Sequence, residues 1–266
     1  MTETLRAPAK LTLSLAVVGR RPDGYHRLDA EMVSVDLADT LTFGPGEGLT
    51  VVDEVVGDGG TVDVPPGPDN LVARALALVG RRASVRLVKR IPAGAGLGGG
   101  SADAAAVLRW AGRLAPDVAA ALGADVPFCL RGGRARVTGV GERLEPLPFE
   151  PRRFVLLLPP LAVRTADVYR AWDEAHAAAG APSAPGANDL EGAALAVAPP
   201  LAGWRDLFAE ASGGRSPQLA GSGSTWFVEG DPSELGLAGR DHLQLSGERA
   251  RLYAVETVPA WEEGEG

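Results

Sequence analysis

The sequence predicts an α+β protein, because strand and helix signals are mixed in both halves of the chain. Residues 5–18 alternate apolar and polar side chains, which is typical of a half-buried strand. Residues 92–106 are rich in glycine and join a second alternating segment, residues 83–91, to an alanine-rich helix. Residues 154–158 form a fully apolar strand that opens the second half. This mixture is compatible with an α+β architecture.

The composition describes a chain long enough for one large domain or two small ones. It has 266 residues, of which 45% are hydrophobic and 23% charged. The net charge of −8 argues against broad attraction to nucleic acid or to an anionic membrane. Cys129 is the single cysteine, which excludes an internal disulfide, and we interpret it as a small buried hydrophobe. No apolar run approaches the roughly 20 residues that span a bilayer, and no signal peptide is evident, so we expect a cytoplasmic protein.

The first strand is predicted to have two distinct faces. One face receives four apolar side chains, namely Leu11, Leu13, Leu15 and Val17. The other receives three polar side chains, namely Lys10, Thr12 and Ser14. Further strands are predicted over residues 33–43, 49–56, 132–140, 226–228 and 251–258.

Helices are predicted from residue 71, over residues 101–114 and 116–122, and from residues 165 and 188. Asn70 is a plausible N-cap, and Asn188 is predicted to form a capping box with Glu191. Asp103 is expected in the first turn of its helix, where its charge suits the helix dipole. Residues 122–128 are predicted to be a helix end followed by a turn that a proline terminates.

The glycine-rich stretch predicts a site for an anion. Glycine allows a positive φ and a close approach of a ligand to the main chain. The loop opens onto a helix N-terminus, whose free N–H groups and dipole attract anions, so phosphate is the expected guest. Arg86, Lys89 and Arg90 precede the loop, and they are equally well explained as anion ligands or as solvated strand residues.

Two common phosphate motifs fit this stretch poorly. Gly94, Gly96 and Gly99 satisfy a dinucleotide fingerprint, but the loop lies some 90 residues into the chain and no acidic residue follows a second parallel strand. A Walker A loop needs a lysine before Ser101, and Gly100 stands there. An ordinary glycine turn that caps a helix is the remaining alternative to a third kind of phosphate loop.

Five segments resemble motifs of the GHMP kinases, in the family's order. Four of them are residues 8–15, 92–102, 122–128 and 220–225. The fifth, residues 21–26, ends in Pro-Asp-Gly-Tyr-His and resembles the branch whose members phosphorylate a methylerythritol that carries cytidine diphosphate. The resemblance covers the chain almost end to end. It implies a two-domain GHMP fold, with residues 1–150 and 151–266 as the domains and the active site in the cleft between them.

The resemblance also implies an activity and its residues. The expected reaction is ATP-dependent phosphorylation of that alcohol in non-mevalonate isoprenoid precursor synthesis, with Mg²⁺ arriving on ATP and no metal cluster in the protein. The implied pair at the reacting hydroxyl is Lys10 and Asp125. The implied ATP-binding residues are Asn70, Pro92, Ala93, Gly94, Ala95, Gly96, Leu97, Gly98, Gly99, Gly100, Ser101 and Ala102. The implied substrate-binding residues are Thr12, Tyr25, His26, Thr165, Tyr169, Gly221, Ser222 and Gly223.

Two rings are expected to contact the substrate's base, since every base has a π face on which an aromatic ring stacks. Tyr25 and Tyr169 are expected on its two faces, although packing of Tyr169 in the core explains its spacing equally well. His26 is expected at the polar edge of the base. The chain departs from the family at Thr12, where asparagine is usual, and at Ala102, where a second serine is common.

Two other functions remain open at the level of sequence. One is a GHMP kinase for another alcohol, such as homoserine or mevalonate, although these acceptors offer no base for Tyr25 and Tyr169. The other is a silent nucleotide-binding sensor, against which the presence of both Lys10 and Asp125 argues.

Overall fold

The computed structural model describes residues 2–55, 64–176 and 188–261. The first sheet has six strands, drawn from the first half of the chain. They are β1 (Glu3–Arg20), β2 (His26–Gly44), β3 (Gly48–Asp53), β4 (Ser84–Lys89), β5 (Arg134–Gly139) and β6 (Arg143–Pro146). The order is β3-β4-β2-β5-β6, and the long strand β1 pairs along β2. All pairs are antiparallel except β3 with β4.

The second sheet has five strands, and its order is β10-β11-β7-β9-β8. They are β7 (Arg153–Leu158), β8 (Gln218–Leu219), β9 (Trp226–Glu229), β10 (His242–Leu245) and β11 (Glu248–Glu256). Every pair in it is antiparallel. The chain after β11 returns to the first sheet, where the N–H of Val258 donates to the carbonyl of Ser34 at 2.9 Å.

The helices lie in both halves of the chain. Within the described residues they are α1 (Leu71–Val79), α2 (Gly99–Trp110), α3 (Pro116–Ala120), α4 (Val126–Arg131), α5 (Thr165–His176), α6 (Glu191–Val197) and α7 (Pro200–Ala211). Helix α2 is buried on every side from Ala102 to Arg109, because alanine lets α1, α4 and β1 approach it closely. No helix of the described residues is long and apolar enough to cross a membrane. The predicted α+β class is confirmed.

The predicted faces of the first strand are wrong, and β-bulges are the reason. Strand β1 shifts register against β2 between Pro8 and Ala9 and again between Thr12 and Ser14. At the second shift Leu13 is one extra residue in β1, and it exchanges the two faces of the strand beyond it. The first shift places two extra residues in β2 and leaves the faces of β1 as they were. Leu11 therefore packs in a different hydrophobic cluster from Leu15.

The bulged segment also buries polar side chains. Lys10 is 6% exposed and Thr12 is 2% exposed, although a simple strand would leave both on a solvated face. Both side chains line the cleft described below.

A small hydrophobic cluster joins the two sheets beneath the glycine-rich loop. Leu11 and Val35 enter it from the first sheet, and Phe154 and Phe227 enter it from the second. Leu97, from the loop itself, is 1% exposed in the same cluster. Burial of a leucine side chain contributes about 1.5–3 kcal/mol, so this contact anchors the loop to the core.

Candidate active site

One cleft of about 500 Å³ gathers most of the residues that the sequence predicts for a site. The predicted residues that line it are Lys10, Thr12, Asn70, Pro92, Ala93, Gly94, Ala95, Gly96, Leu97, Gly98, Gly99, Gly100, Ser101, Asp125, Thr165, Tyr169, Gly221 and Ser222. Four predicted residues do not line it, namely Tyr25, His26, Ala102 and Gly223. Residues from six separate segments thus meet in this cleft.

The glycine-rich loop needs glycine where it meets residues 220–225, which we call the third glycine turn. Gly96 has a φ of +80°, and a Cβ there would lie 2.5 Å from the carbonyl oxygen of Ala220. The hydroxyl of Thr225 donates to the carbonyl of Ala95 at 2.7 Å, and the N–H of Lys10 donates to that of Leu97 at 3.0 Å. The loop is therefore held from both sides at a fixed position.

Helix α2 starts directly from this loop with an uncapped N-terminus. Gly98 occupies the N-cap in the left-handed region and has no side chain to accept from the first turn. The first N–H groups of an α-helix have no partner within the helix, and here they belong to Gly99, Gly100 and Ser101, which line the cleft. The dipole of α2 adds partial positive charge at the same place, so the geometry suits an anionic group.

Lys10 and Asp125 form an ion pair at the wall of the cleft. Lys10 Nζ lies 3.6 Å from Asp125 Oδ2, and the two side chains are 7% and 33% exposed. Nζ also donates to the hydroxyl of Thr12 at 3.2 Å. The stem of the lysine packs on the glycine-rich loop, since a Cβ at Gly98 would lie 2.8 Å from Lys10 Cγ.

The local fold of residues 122–128 frees the carboxylate of Asp125. A turn was predicted here, but α4 begins at Val126, with Pro127 in its first turn and Asp125 at the N-cap. Proline is tolerated there because the first turn has no intrahelical partner for its N–H. The Asp125 side chain makes no capping hydrogen bond, so it is available to Lys10 and to a ligand.

Of the three predicted aromatic residues only Tyr169 lines the cleft, and the arrangement of the three differs from the expected one. The ring of His26 stacks on Tyr169, with centroids 4.7 Å apart and planes at 20°. His26 Nε2 lies 2.7 Å from Asp173 Oδ1. Tyr25 is 65% exposed. Burial, together with the charge of Asp125, raises the pKa of the Tyr169 phenol, which therefore remains neutral.

Asp173 was not predicted as part of the site. It lies four residues after Tyr169 in α5, and residues at this spacing share a helix face. That spacing could have singled it out, but its pairing with His26 joins positions 147 apart in sequence. Arg20 Nη1 lies 3.5 Å from the same carboxylate.

The third glycine turn contacts α5 and the chain before α6. The hydroxyls of Thr165 and Ser222 are 2.9 Å apart. The predicted capping box at Asn188 is wrong, because α6 begins at Glu191 with Leu190 as its N-cap. Asn188 Oδ1 accepts from the N–H of Leu190 at 3.0 Å. Its amide nitrogen donates to the carbonyl of Leu219, just before the third glycine turn, and to that of Gly221 within the turn.

Asn70 combines two features. It is the N-cap of α1, as predicted, and its side-chain oxygen accepts from the N–H of Val72 at 2.9 Å. Its amide donates to the carbonyl of Pro65 at 3.1 Å, and the residue also lines the cleft.

Lys89 lies in a buried ionic triad, which neither interpretation of the basic residues before the loop anticipated. Its ammonium pairs with Asp39 and lies 2.7 Å from Asp103 Oδ2. The three residues are at most 3% exposed. Asp39 also accepts from the N–H of Ile91 at 2.8 Å, where β4 passes into the loop. The predicted place of Asp103 is wrong, because α2 begins at Gly99 and puts Asp103 beyond its first turn.

Burial acts against the charges of Lys89 and Asp103. It raises the pKa of Asp103 to about 8; the ammonium of Lys89 opposes this shift, and the charge of Asp39 adds to it. Burial also acts to lower the pKa of Lys89, but the two carboxylates outweigh it and the net shift is upward. Lys89 therefore remains charged, while Asp103 holds its proton at neutral pH.

Stability is expected to depend on pH through Asp103. Its folded pKa of about 8 lies above the ordinary 3.8, so the folded protein retains a proton that the unfolded chain releases between these values. Stability from this proton is complete below the ordinary pKa and is lost as pH rises through about 8. Urea unfolding between pH 5 and pH 9 should show this decline, and Asp103→Asn should flatten it. Parallel pH curves for the two proteins would contradict the assignment.

Comparison with known proteins defines the class. The family model described as "GHMP kinases N terminal domain" matches residues 70–133. Two solved structures at low identity share the fold: a homoserine kinase from Cytophaga hutchinsonii (15% identical, TM-score 0.58, covering 97% of this chain and 95% of that one) and the Methanococcus jannaschii mevalonate kinase (14%, 0.56, 97% and 99%). The protein thus has the fold of the GHMP kinases.

Closer relatives define the branch. A 4-diphosphocytidyl-2-C-methyl-D-erythritol kinase from Cereibacter sphaeroides is 41% identical over 251 residues, 85% of this chain and 88% of the relative. The relative of the same name from Paracoccus denitrificans is 42% identical, over 83% and 84% of the two chains. A crystal structure of 4-(cytidine 5'-diphospho)-2C-methyl-D-erythritol kinase is 37% identical with a TM-score of 0.72, over 96% and 100%. The chain belongs to the 4-diphosphocytidyl-2-C-methyl-D-erythritol kinase family.

Proposed function

We propose that the protein transfers the γ-phosphoryl group of ATP to the 2-hydroxyl of 4-diphosphocytidyl-2-C-methyl-D-erythritol, an isoprenoid precursor. The observation that carries the proposal is the Lys10–Asp125 pair, 3.6 Å apart, in the same cleft as the uncapped N-terminus of α2. The N-terminus of α2 suits a phosphate chain, and the Lys10–Asp125 pair suits a hydroxyl that must lose a proton. The names of the relatives supply the alcohol.

In this proposal the glycine-rich loop, residues 92–102, holds the triphosphate of ATP. A cradle of glycines with free N–H groups fits phosphate oxygens, because no side chain stands between the backbone and the ligand. Asn70 also lines the cleft and is proposed to contact the nucleoside. Mg²⁺ would arrive on the phosphates of ATP and offset their charge.

Asp125 is proposed to accept the proton of the attacking hydroxyl. Phosphoryl transfer needs little covalent chemistry from the protein, so positioning and electrostatics carry the rate. Lys10 keeps the carboxylate ionised and oriented, and its charge stabilises negative charge that develops on oxygen. Thr12 holds Lys10 Nζ from the other side, a contact that the usual asparagine of the family would make with longer reach.

The opposite end of the cleft is proposed to bind the cytidine diphosphate group. Tyr25, His26 and Tyr169 supply aromatic faces and a polar edge for the base. Four further residues are proposed to contact the alcohol and its phosphates, namely Thr165, Gly221, Ser222 and Gly223. Because Tyr25 is exposed and His26 stacks on Tyr169, we expect these two rings to rearrange when the base enters.

We also propose that residues 1–150 and 151–266 are the two domains. Each half contributes one sheet, and the small cluster beneath the loop joins them. The proposed cleft takes Lys10, Asp125 and the phosphate loop from the first half and the third glycine turn from the second.

The experiment is ADP release by the purified protein with ATP and Mg²⁺ on three acceptors: 4-diphosphocytidyl-2-C-methyl-D-erythritol, homoserine and mevalonate. We expect turnover on the cytidine-bearing alcohol alone, because the other two offer nothing for Tyr169 and His26 to bind. Turnover on homoserine or mevalonate would overturn the substrate and leave a GHMP kinase for another alcohol. ATP binding without turnover on any acceptor would overturn the kinase activity itself.

A further inference from the structure

Residues Asn188 and Asp189 connect two parts of the cleft that are distant in sequence. On one side, the N–H of Asp189 donates to the carbonyl of Leu15 at 2.9 Å, and Asp189 Oδ2 accepts from the N–H of Val17 at 2.8 Å. Both contacts are with β1, the strand that carries Lys10. On the other side, Asn188 Nδ2 donates to the carbonyls of Leu219 at 2.8 Å and Gly221 at 2.6 Å.

Only an amide performs the second connection. An asparagine side chain offers two N–H donors and one acceptor oxygen, and all three are used here. Aspartate has the same shape but no donor, and serine has a single hydroxyl. Without the amide, the carbonyls of Leu219 and Gly221 would lose these hydrogen bonds in a half-buried place, where a polar group without a partner is costly.

The turn that Asn188 holds lies directly against the proposed reacting groups. A Cβ at Gly221 would be 3.5 Å from Lys10 Nζ and 3.7 Å from Thr12 Oγ1. The next residue, Ser222, contacts Thr165 of α5 and lines the cleft. A shift of this turn would therefore change the space in front of the lysine ammonium.

We propose that Asn188 is a positioning residue for phosphoryl transfer, which fixes the third glycine turn at its distance from Lys10. Asp189 bonds the same segment to β1, the strand that carries Lys10. The turn and the lysine are therefore both positioned relative to β1. Asn188 makes no hydrogen bond to the glycine-rich loop in the described residues. The residue of the turn that it holds, Gly221, lies beside Lys10, whereas Thr225 at the other end of the turn bonds to the loop, so we expect the larger effect near Lys10. The kinetic part of this inference rests on the proposed function, and the geometric part does not.

The test uses two substitutions, Asn188→Asp and Asn188→Ser. Both keep an oxygen that can accept from the N–H of Leu190, and both remove the amide donors to the turn. We expect kcat to fall about 10- to 100-fold, because a misplacement of about 1 Å can cost that much, while KM for ATP changes little. Combining either variant with Ser222→Ala should give less than the product of the two single effects, since both act through one turn.

Ser212→Ala is the matched control. Its buried hydroxyl donates to the carbonyl of Phe208 at 2.6 Å, and the residue does not line the cleft. Ser212→Ala should leave kcat unchanged, even if it lowers the melting temperature of the protein as much as Asn188→Ser does. Equal kcat in Asn188→Ser and the native protein, or a simple product of effects with Ser222→Ala, would overturn the proposal.

Hydrogen exchange supplies a readout that needs no activity. Within the turn, the N–H of Ala220 donates to the carbonyl of Thr225 at 2.9 Å, and the N–H of Gly223 donates to that of Ala220 at 3.1 Å. Asn188→Ser should accelerate exchange at residues 219–225 several-fold relative to Ser212→Ala. Unchanged exchange there would overturn the positioning role even if the alcohol proves not to be the substrate. Faster exchange in a protein without turnover would overturn the proposed function alone.

Discussion

Asp125→Asn is expected to lower kcat about 10²- to 10⁴-fold, the range that a positioned general base contributes. The asparagine has the shape of the aspartate but cannot accept the proton of the hydroxyl. KM for ATP should change little, because Asp125 lies at the wall with Lys10, and the glycine-rich loop at α2 is the proposed phosphate site. Steady-state kinetics with varied ATP and varied alcohol separate the two effects.

The control for this prediction is Asp117→Asn, the same chemical change at an exposed residue of α3. It should keep the native kcat. A second variant, Lys10→Met, should also lose most of kcat, and the double variant should lose far less than the product of both. If Asp125→Asn retained native kcat with the alcohol at saturation, Asp125 would not be the proton acceptor.

Lys89→Met is expected to lower the free energy of unfolding by about 3–5 kcal/mol, the usual cost of removing one partner from a buried ion pair. The substitution leaves Asp39 and Asp103 facing each other without a cation, in a place where neither is more than 2% exposed. It also weakens the junction between β4 and the loop, because Asp39 holds the N–H of Ile91. Urea unfolding at pH 7 measures the change.

Two comparisons make this prediction specific. Arg82→Met removes a cation from an exposed pair with Glu47, where the side chains are 83% and 63% exposed, and it should leave stability nearly unchanged. Adding Asp103→Asn to Lys89→Met should recover part of the loss, because asparagine is neutral beside Asp39 without taking up a proton on folding. If Lys89→Met and Arg82→Met lowered the free energy of unfolding equally, the buried triad would contribute no more to stability than an exposed ion pair.

The sequence predicts what depends on neighbours along the chain. The strand–loop–helix order around Gly96, the cap at Asn70 and most strand positions follow from local periodicity and turn chemistry. The faces of β1 were wrong because a bulge depends on the register with β2, which no periodicity in residues 5–18 reveals.

The other errors concern partners that are distant in sequence. Asn188 satisfies the pattern of a capping box, yet its amide bonds to residues 31 and 33 positions later. Lys89 resembles a strand lysine on the surface until Asp39, 50 residues earlier, is brought beside it. His26 and Asp173 are likewise joined only by the fold. Local chemistry can identify such residues as polar, but it cannot say which partner satisfies them.

Phosphorus NMR of the reaction mixture would observe the proposed transfer of the γ-phosphoryl group to the alcohol itself. We expect one new phosphomonoester signal to appear on 4-diphosphocytidyl-2-C-methyl-D-erythritol, to grow in step with ADP, and to disappear with Asp125→Asn. ADP and free phosphate that accumulate at the same rate with and without the alcohol would contradict it, because the cleft would then deliver the γ-phosphoryl group to water.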